Sequence, residues 1–136
     1  MTVFVDSSAF VAFLIAEDAQ HDAACATWDR LSDAEDRLVT TNYVVVESCS
    51  LLHRRSGMSI VRAFLSEVVP VVAIEWVDVA VHSAAVSAFL ESARRGPSIV
   101  DCVSFAAMRK LGINTAFAFD PHFAGQGFSD ATASDA

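Results

Sequence analysis

Four acidic residues stand where the surrounding sequence makes a carboxylate costly. Asp101 lies in Ser98-Ile-Val-Asp101-Cys-Val-Ser-Phe-Ala-Ala-Met108, a helical stretch with almost no polar face. Glu47 lies in the middle of the apolar helical run Tyr43 to Leu52, where no cap is needed and solvent is expected to be remote. Arg54 and Arg55 follow seven and eight residues later, too far along a helix for an intrahelical pair. Asp6 closes the β-branched run Thr2-Val-Phe-Val5, and Asp120 follows the run Asn114 to Phe119. A carboxylate in such company loses hydration and needs a compensating partner.

Each acid also has a purely structural explanation. Ser98 and Asp101 have the spacing of a capping box, and an acid suits a helix N-terminus. Asp6 can cap the helix that follows it, and Asp120 can start a turn or a helix with Pro121 in its first position. Taken together, two acids at strand ends and two on helix surfaces can converge on one cleft. Four facing carboxylates repel unless cations sit between them. Oxygen-only ligands favour magnesium or manganese over zinc. His21, His53, His82 and His122 show no ligand spacing and read as surface or packing residues. A site of this kind orients and acidifies a water and offsets charge on a phosphodiester.

The elements that must position these acids follow from the hydrophobic pattern. Strands are expected at 2–5, 37–41, 71–74 and 114–119. Helices are expected at 9–16, 21–34, 43–55 (capped by Asn42), 60–68 and 77–94, and from the Asp101 segment to Leu111 with Gly112 as its stop. Pro70 is expected to open the third strand, and Gly96-Pro97 to break the chain before Ser98. Strands separated by helices predict an α/β fold, with a mainly parallel central sheet covered on both faces. Ligands of such sheets bind beyond the carboxyl ends of the strands, where Asp6 and Asp120 stand. Residues 1–128 read as a single domain, and 129–136 as a small, polar, disordered tail.

Composition bounds the class. With 136 residues and 54% hydrophobic content, the chain buries one sizeable core. No apolar run approaches the ~18 residues of a membrane span, and the first residues lack a signal-peptide pattern. Cys25, Cys49 and Cys102 are odd in number and widely spaced, as expected of reduced core residues in a cytoplasmic protein. The net charge of −8 at first opposes a nucleic-acid ligand. Residues 17–36, however, hold seven acids against Arg30 alone, and this segment is expected to lie away from the cleft. With the four candidate acids neutralised, the remainder has six acids against eight bases.

The sequence resembles the PIN-domain family and, within it, the VapC-type toxins of bacterial toxin–antitoxin pairs. The resemblance rests on Val-Phe-Val-Asp6-Ser-Ser, on Glu47 in the helix after the second strand, on Ser98-Ile-Val-Asp101, and on Phe119-Asp120-Pro-His-Phe123, in that order over residues 2 to about 128. It implies a three-layer α/β/α fold and a metal-dependent endoribonuclease. It also implies that Asp6, Glu47, Asp101 and Asp120 hold one or two magnesium or manganese ions. Ser7 or Ser8 and Ser98 match positions where the family carries a hydroxyl near metal or phosphate, although capping explains them equally well. A small VapB-type antitoxin covering the cleft, and a homodimer, are further implications. Phe10, Phe13, Leu14, Leu52, Phe64 and Leu65 are candidates for that groove or dimer face, with core packing as the simpler explanation for most.

Three basic doublets suit RNA phosphates: Arg54-Arg55, Arg94-Arg95 and Arg109-Lys110. Each equally suits a helix end. Arg94-Arg95, just ahead of Gly96-Pro97 and the Asp101 helix, is the first choice for the rim. Two rival functions remain open at this point. An aspartate-nucleophile phosphatase of haloacid-dehalogenase type wants an acid two residues after the nucleophile and a downstream lysine; Ser8 stands at the first position, and Lys110 is the only lysine. A non-catalytic binding module on the same fold is the other.

Overall fold

β1 (Thr2–Val5) runs through the middle of the molecule because Val3, Phe4 and Val5 carry no polar side chain and are completely buried. The structure, a computed structural model, describes residues 1–132; 133–136, the end of the expected disordered tail, lie outside the described residues. β1 is flanked by β2 (Arg37–Thr41) and β4 (Thr115–Phe117), with β3 (Ala73–Glu75) and β5 (Ser129–Asp130) at the edges. The strand order is β3-β2-β1-β4-β5 and every pairing is parallel. In register, Phe4 faces Val39 on one side and Ala116 on the other. The helices α1 (Ser7–Leu14), α2 (His21–Asp33), α3 (Asn42–Ser56), α4 (Met58–Ala63), α5 (Val79–Glu91), α6 (Ile99–Leu111) and α7 (His122–Gly125) complete the α/β/α layering.

The chain order moves outward from β1 to β2 to β3, then returns to β4 on the opposite side. β1 and β4 are therefore the neighbours at which the strand order reverses, and their carboxyl ends border the crevice where such sheets bind ligands.

Several local expectations are corrected. The tail does not loosen at Ser129: β5 pairs with β4, Ala131 is buried, and the Arg30 guanidinium donates to the Ala131 carbonyl. Two residues of strand give too little periodicity to be read in advance. The cap of α3 is Thr41, whose Oγ1 accepts from Val44 N at 3.2 Å. Asn42 instead accepts from Val77 N at 2.9 Å, tying the segment after β3 to the start of α3. After Gly57 the helix begins at Met58, widens into a π-helical turn (Phe64–Val68), and tightens into a 3₁₀ turn (Val69–Val71) before β3. Pro70 sits in the first turn of that last helix, where its missing N–H costs nothing, and does not open the strand. α5 is shorter than the expected 77–94 because Asp78 caps it at one end and it stops at Ser92. β4 leaves the ladder after Phe117, which frees Ala118 to Asp120 to turn toward the crevice.

Of the six residues offered as a groove, Phe10, Leu52 and Phe64 belong to the core, with Phe10 edge-on to Phe64 at 5.1 Å. Phe13 is half-buried and stacks on Trp28 at 4.6 Å, Leu14 is also half-buried, and only Leu65 is exposed. Among the described residues no helix is long and apolar enough to cross a membrane.

Candidate active site

The first side chain past β1 is Asp6, whose backbone N–H bonds to Phe117 O of β4 at 3.0 Å and so clamps the two strand ends together. Its side chain is 2% exposed. Oδ2 accepts from Ser8 N at 3.2 Å and Ser8 Oγ at 2.6 Å, which makes Asp6 the cap of α1. Oδ1 is buried with no hydrogen-bond partner. Burial, together with the charges of Asp101 and Glu47, pushes the carboxyl up to about 7 despite the Ser8 hydrogen bonds. Ser8 also reaches the chain beyond β4, where its Oγ accepts from Phe119 N at 2.9 Å and fixes the backbone next to Asp120.

Asp101 is also buried, in the first turn of α6. The capping box is real: Ser98 Oγ accepts from Asp101 N at 3.1 Å, and Asp101 Oδ2 accepts from Ser98 N at 3.0 Å. Capping does not remove the electrostatic cost, because burial and the neighbouring Asp120 raise the Asp101 carboxyl to about 6. Asp120 Oδ1 accepts from His122 N at 2.9 Å and His122 Nδ1 at 2.7 Å. Asp101, Asp120 and His122 bring ligand-type atoms within 4.8 Å of one another. Burial lowers the His122 pKa, but the hydrogen bond and charge of Asp120, with the Arg95 carbonyl, carry the net shift upward.

Glu47 faces the same cleft from α3. The expectation that it is remote from solvent is corrected: it is half-buried and lines an opening of about 380 Å³ together with Asp6, Asp101 and Asp120. Ser7, at the first position of α1, donates its hydroxyl to Glu47 Oε1. A common plan runs through all four acids. One oxygen of each is anchored, by Ser8, Ser98 N, His122 or Ser7, and the second oxygen of Asp6 is buried without a partner. Among the described residues no lysine or arginine is ion-paired with any of the four. The donor set fits a hard divalent ion: four mutually repelling carboxylates, with the His122 imidazole beside Asp101 and Asp120 and a buried Asp6 oxygen that lacks a partner.

Other residues fall differently from their sequence expectations. The acidic segment is not wholly remote, since Asp18 and Gln20 line the cleft, and Asp18 Oδ2 pairs with Arg55 Nη1 at 2.9 Å. Arg55 is the basic residue on the cleft wall, while the favoured Arg94-Arg95 lie outside that lining, with the Arg95 backbone beside His122. Arg94 and Arg95 are exposed in the turn closed by Gly96 N to Ala93 O at 2.8 Å. Arg109 bonds Gln126 at 2.8 Å and lies 5.2 Å above the Phe128 ring. Lys110 pairs with Asp78 and Glu75, away from Asp6, so the lysine that the phosphatase reading needs is committed elsewhere. His122 is not simply a surface residue, because it orients Asp120. A sequence signal for it existed in the Asp-Pro-His spacing, which suits an aspartate accepting from its own backbone two residues on. For Arg55, the signal was Glu47, Leu51 and Arg55 at four-residue steps along one side of α3.

The PIN domain family model matches residues 3–128. The chain belongs to the PIN-domain family. This PIN domain is 36% identical over 127 residues to the 23S rRNA-specific endonuclease VapC20 of Mycobacterium tuberculosis, in strains CDC 1551 / Oshkosh and ATCC 25618 / H37Rv alike. The match covers 93% of this chain and 95% of the relative. The crystal structure of Mycobacterium tuberculosis VapC20, described as a sarcin–ricin loop cleaving toxin, aligns with a TM-score of 0.82 at 35% identity, over 93% of this chain and 95% of that one.

Proposed function

We propose that this PIN-domain protein is a divalent-metal-dependent endoribonuclease of VapC toxin type, cutting RNA phosphodiesters in the cytoplasm. The observation that carries this is the acid cleft at the β1/β4 reversal: Asp6, Glu47, Asp101 and Asp120 line one opening and, among the described residues, no lysine or arginine is paired to them. Asp6, Glu47, Asp101 and Asp120 would hold magnesium or manganese, which would supply Lewis-acid activation of a water and offset charge on the phosphodiester. The protein's own contribution is positioning. Ser8 locks Asp6 against the β4 end, the Ser98 cap locks Asp101, His122 locks Asp120, and Ser7 steadies Glu47. Ser98, Ser7 and Ser8 thus act on substrate through the acids, and Arg94-Arg95 contributes at most to an outer phosphate path.

The similarity to VapC20, a toxin that acts on 23S rRNA, supports RNA as substrate and a VapB-type antitoxin as partner; the homodimer rests on the family resemblance alone. The test is cleavage of a hairpin carrying the sarcin–ricin loop, and of total RNA, by the purified chain. Discrete cuts that require magnesium or manganese, vanish with chelator and return on re-addition are expected. Absence of metal-dependent cleavage of any RNA overturns the reading.

A further inference from the structure

The cleft has acids on its floor and an acid on its wall. Asp18, in the loop between α1 and α2, adds a negative charge to a surface that must receive a polyanion. Its placement is specified. Oδ1 accepts from Gln20 N at 2.9 Å, and its backbone carbonyl takes the first N–H of α2 (His21) at 3.0 Å, so the carboxylate presents Oδ2 to Arg55 Nη1. Arg55 is the only basic residue lining the cleft among the described residues. It lies eight residues beyond Glu47, about 12 Å along the helix axis, with Leu51 between them on the same wall.

The last turn of α3 already carries His53 and Arg54, so a charge complementing the helix dipole does not need Arg55. The pair is also poorly suited to holding the fold, since the Arg55 side chain is 43% exposed and such pairs contribute little. An arginine fork has five donors and binds phosphate in the geometry in which it binds a carboxylate.

We propose that Arg55 binds a substrate phosphate flanking the one that is cut, and that Asp18 occupies it in the free protein as a competing anion that RNA must displace. This rests on the ribonuclease reading above and adds to it a binding residue and a built-in restraint. The Asp18 carboxylate, held low chiefly by its hydrogen bond from Arg55, remains charged throughout the neutral range, so the restraint is present whenever the protein meets RNA.

The test uses the full chain and a labelled single-stranded RNA, with cleavage kinetics measured in the active protein and binding measured in an Asp101→Asn background that keeps the RNA uncut. Arg55→Ala is expected to weaken binding about tenfold and to raise KM more than it lowers kcat. Its plot of log affinity against log salt is expected to be shallower by about 0.7. Asp18→Asn is expected to do the opposite, tightening binding about two- to fivefold, the worth of an exposed ion pair. In the double variant that gain shrinks, because there is no arginine left to release and only the repulsion between Asp18 and RNA is relieved. Asp29→Asn, the same charge change on the exposed face of α2, leaves affinity unchanged. Both single variants keep a Tm within a few degrees of the parent, and Arg55→Gln replaces the alanine variant should that fail to fold.

A merely structural pair moves binding in one direction for both variants, or in neither. That result, an unaltered salt slope for Arg55→Ala, or an Asp18→Asn gain that is undiminished without Arg55 overturns the proposal. If the parent cuts RNA while Arg55→Ala binds as the parent does, the Arg55 role alone falls. If the parent neither binds nor cuts RNA, the ribonuclease reading falls and this falls with it.

Discussion

On one side of the cleft, Asp6 and Asp120 follow the carboxyl ends of β1 and β4 and Asp101 sits in the first turn of α6; caps hold Asp6 and Asp101, and a local turn to His122 holds Asp120. Asp6 and Asp101 are nearly inaccessible, and burial raises both carboxyls well above their ordinary range. On the other side, Glu47, Arg55 and Asp18 stand on a helix face and a loop, partly exposed and linked by contacts to side-chain tips. The first wall is pre-organised at an electrostatic cost that only added positive charge offsets. The second is cheap to rearrange at its rim, since the Asp18–Arg55 pair is exposed and leaves solvated groups when broken, whereas the Ser7–Glu47 bond beneath it is part-buried. Chemistry needs the former, and admission of a variable, flexible polymer needs the latter.

The largest expected effect separates the two walls directly. Asp101→Asn should lower RNA cleavage by more than about a hundredfold, since even outer partners of metal sites are worth about 10–100-fold. In metal-free buffer its Tm should stay constant or rise, because one repelling charge is gone and the amide oxygen can still accept from Ser98 N. Full activity in this variant breaks the assignment, and a large fall in Tm with intact specific activity reduces Asp101 to a helix cap.

The next effect is thermodynamic. With folded carboxyls at about 7 (Asp6) and about 6 (Asp101) against unfolded values near 4, the native state binds more protons in that window. Stability of the metal-free protein should therefore fall as pH rises from about 4 to about 7, by a few kcal/mol at most, and level off above. Magnesium or manganese should restore Tm at pH 7.5 and have much less effect near pH 4.5, where the acids are protonated. Thermal scans across pH, with and without metal, check this; a rising metal-free curve over that range contradicts it. Asp6→Asn should flatten the curve.

The smallest effect tests the anchoring of the rigid wall against that of the mobile one. Ser8→Ala removes the bonds to both Asp6 Oδ2 and Phe119 N. It should cost about 1–3 kcal/mol in denaturant unfolding and about 10–100-fold in kcat. Ser7→Ala, which loses one bond to the half-buried Glu47, should cost less in both. Equal losses would erase the distinction between the walls.

How much of this could be read in advance depends on the range of the interaction involved. β1 and β2 appear with the boundaries that their β-branched runs indicate, and α6 begins at its Ser98 cap and ends at Gly112, whose φ of +69° suits glycine. The acids at these element ends could be picked out because capping and strand termination are decided within a few residues. Glu47 could be noticed as an acid out of place in an apolar helix, but not as a cleft residue, because its exposure depends on how α3 packs against α1 and α6.

Residue types, caps and periodicity by themselves determined that the chain is an α/β domain with four misplaced carboxylates at the ends and faces of its core elements. Only the tertiary structure decided that Ser8 joins Asp6 to the β4 end, that Asp18 reaches Arg55 across 37 positions, and that two residues after Phe128 complete the sheet. The physical reason is distance along the chain. A cap or an amphipathic face is set by neighbours three or four residues away, whereas an ion pair or an edge strand exists only once the sheet order has brought remote segments together.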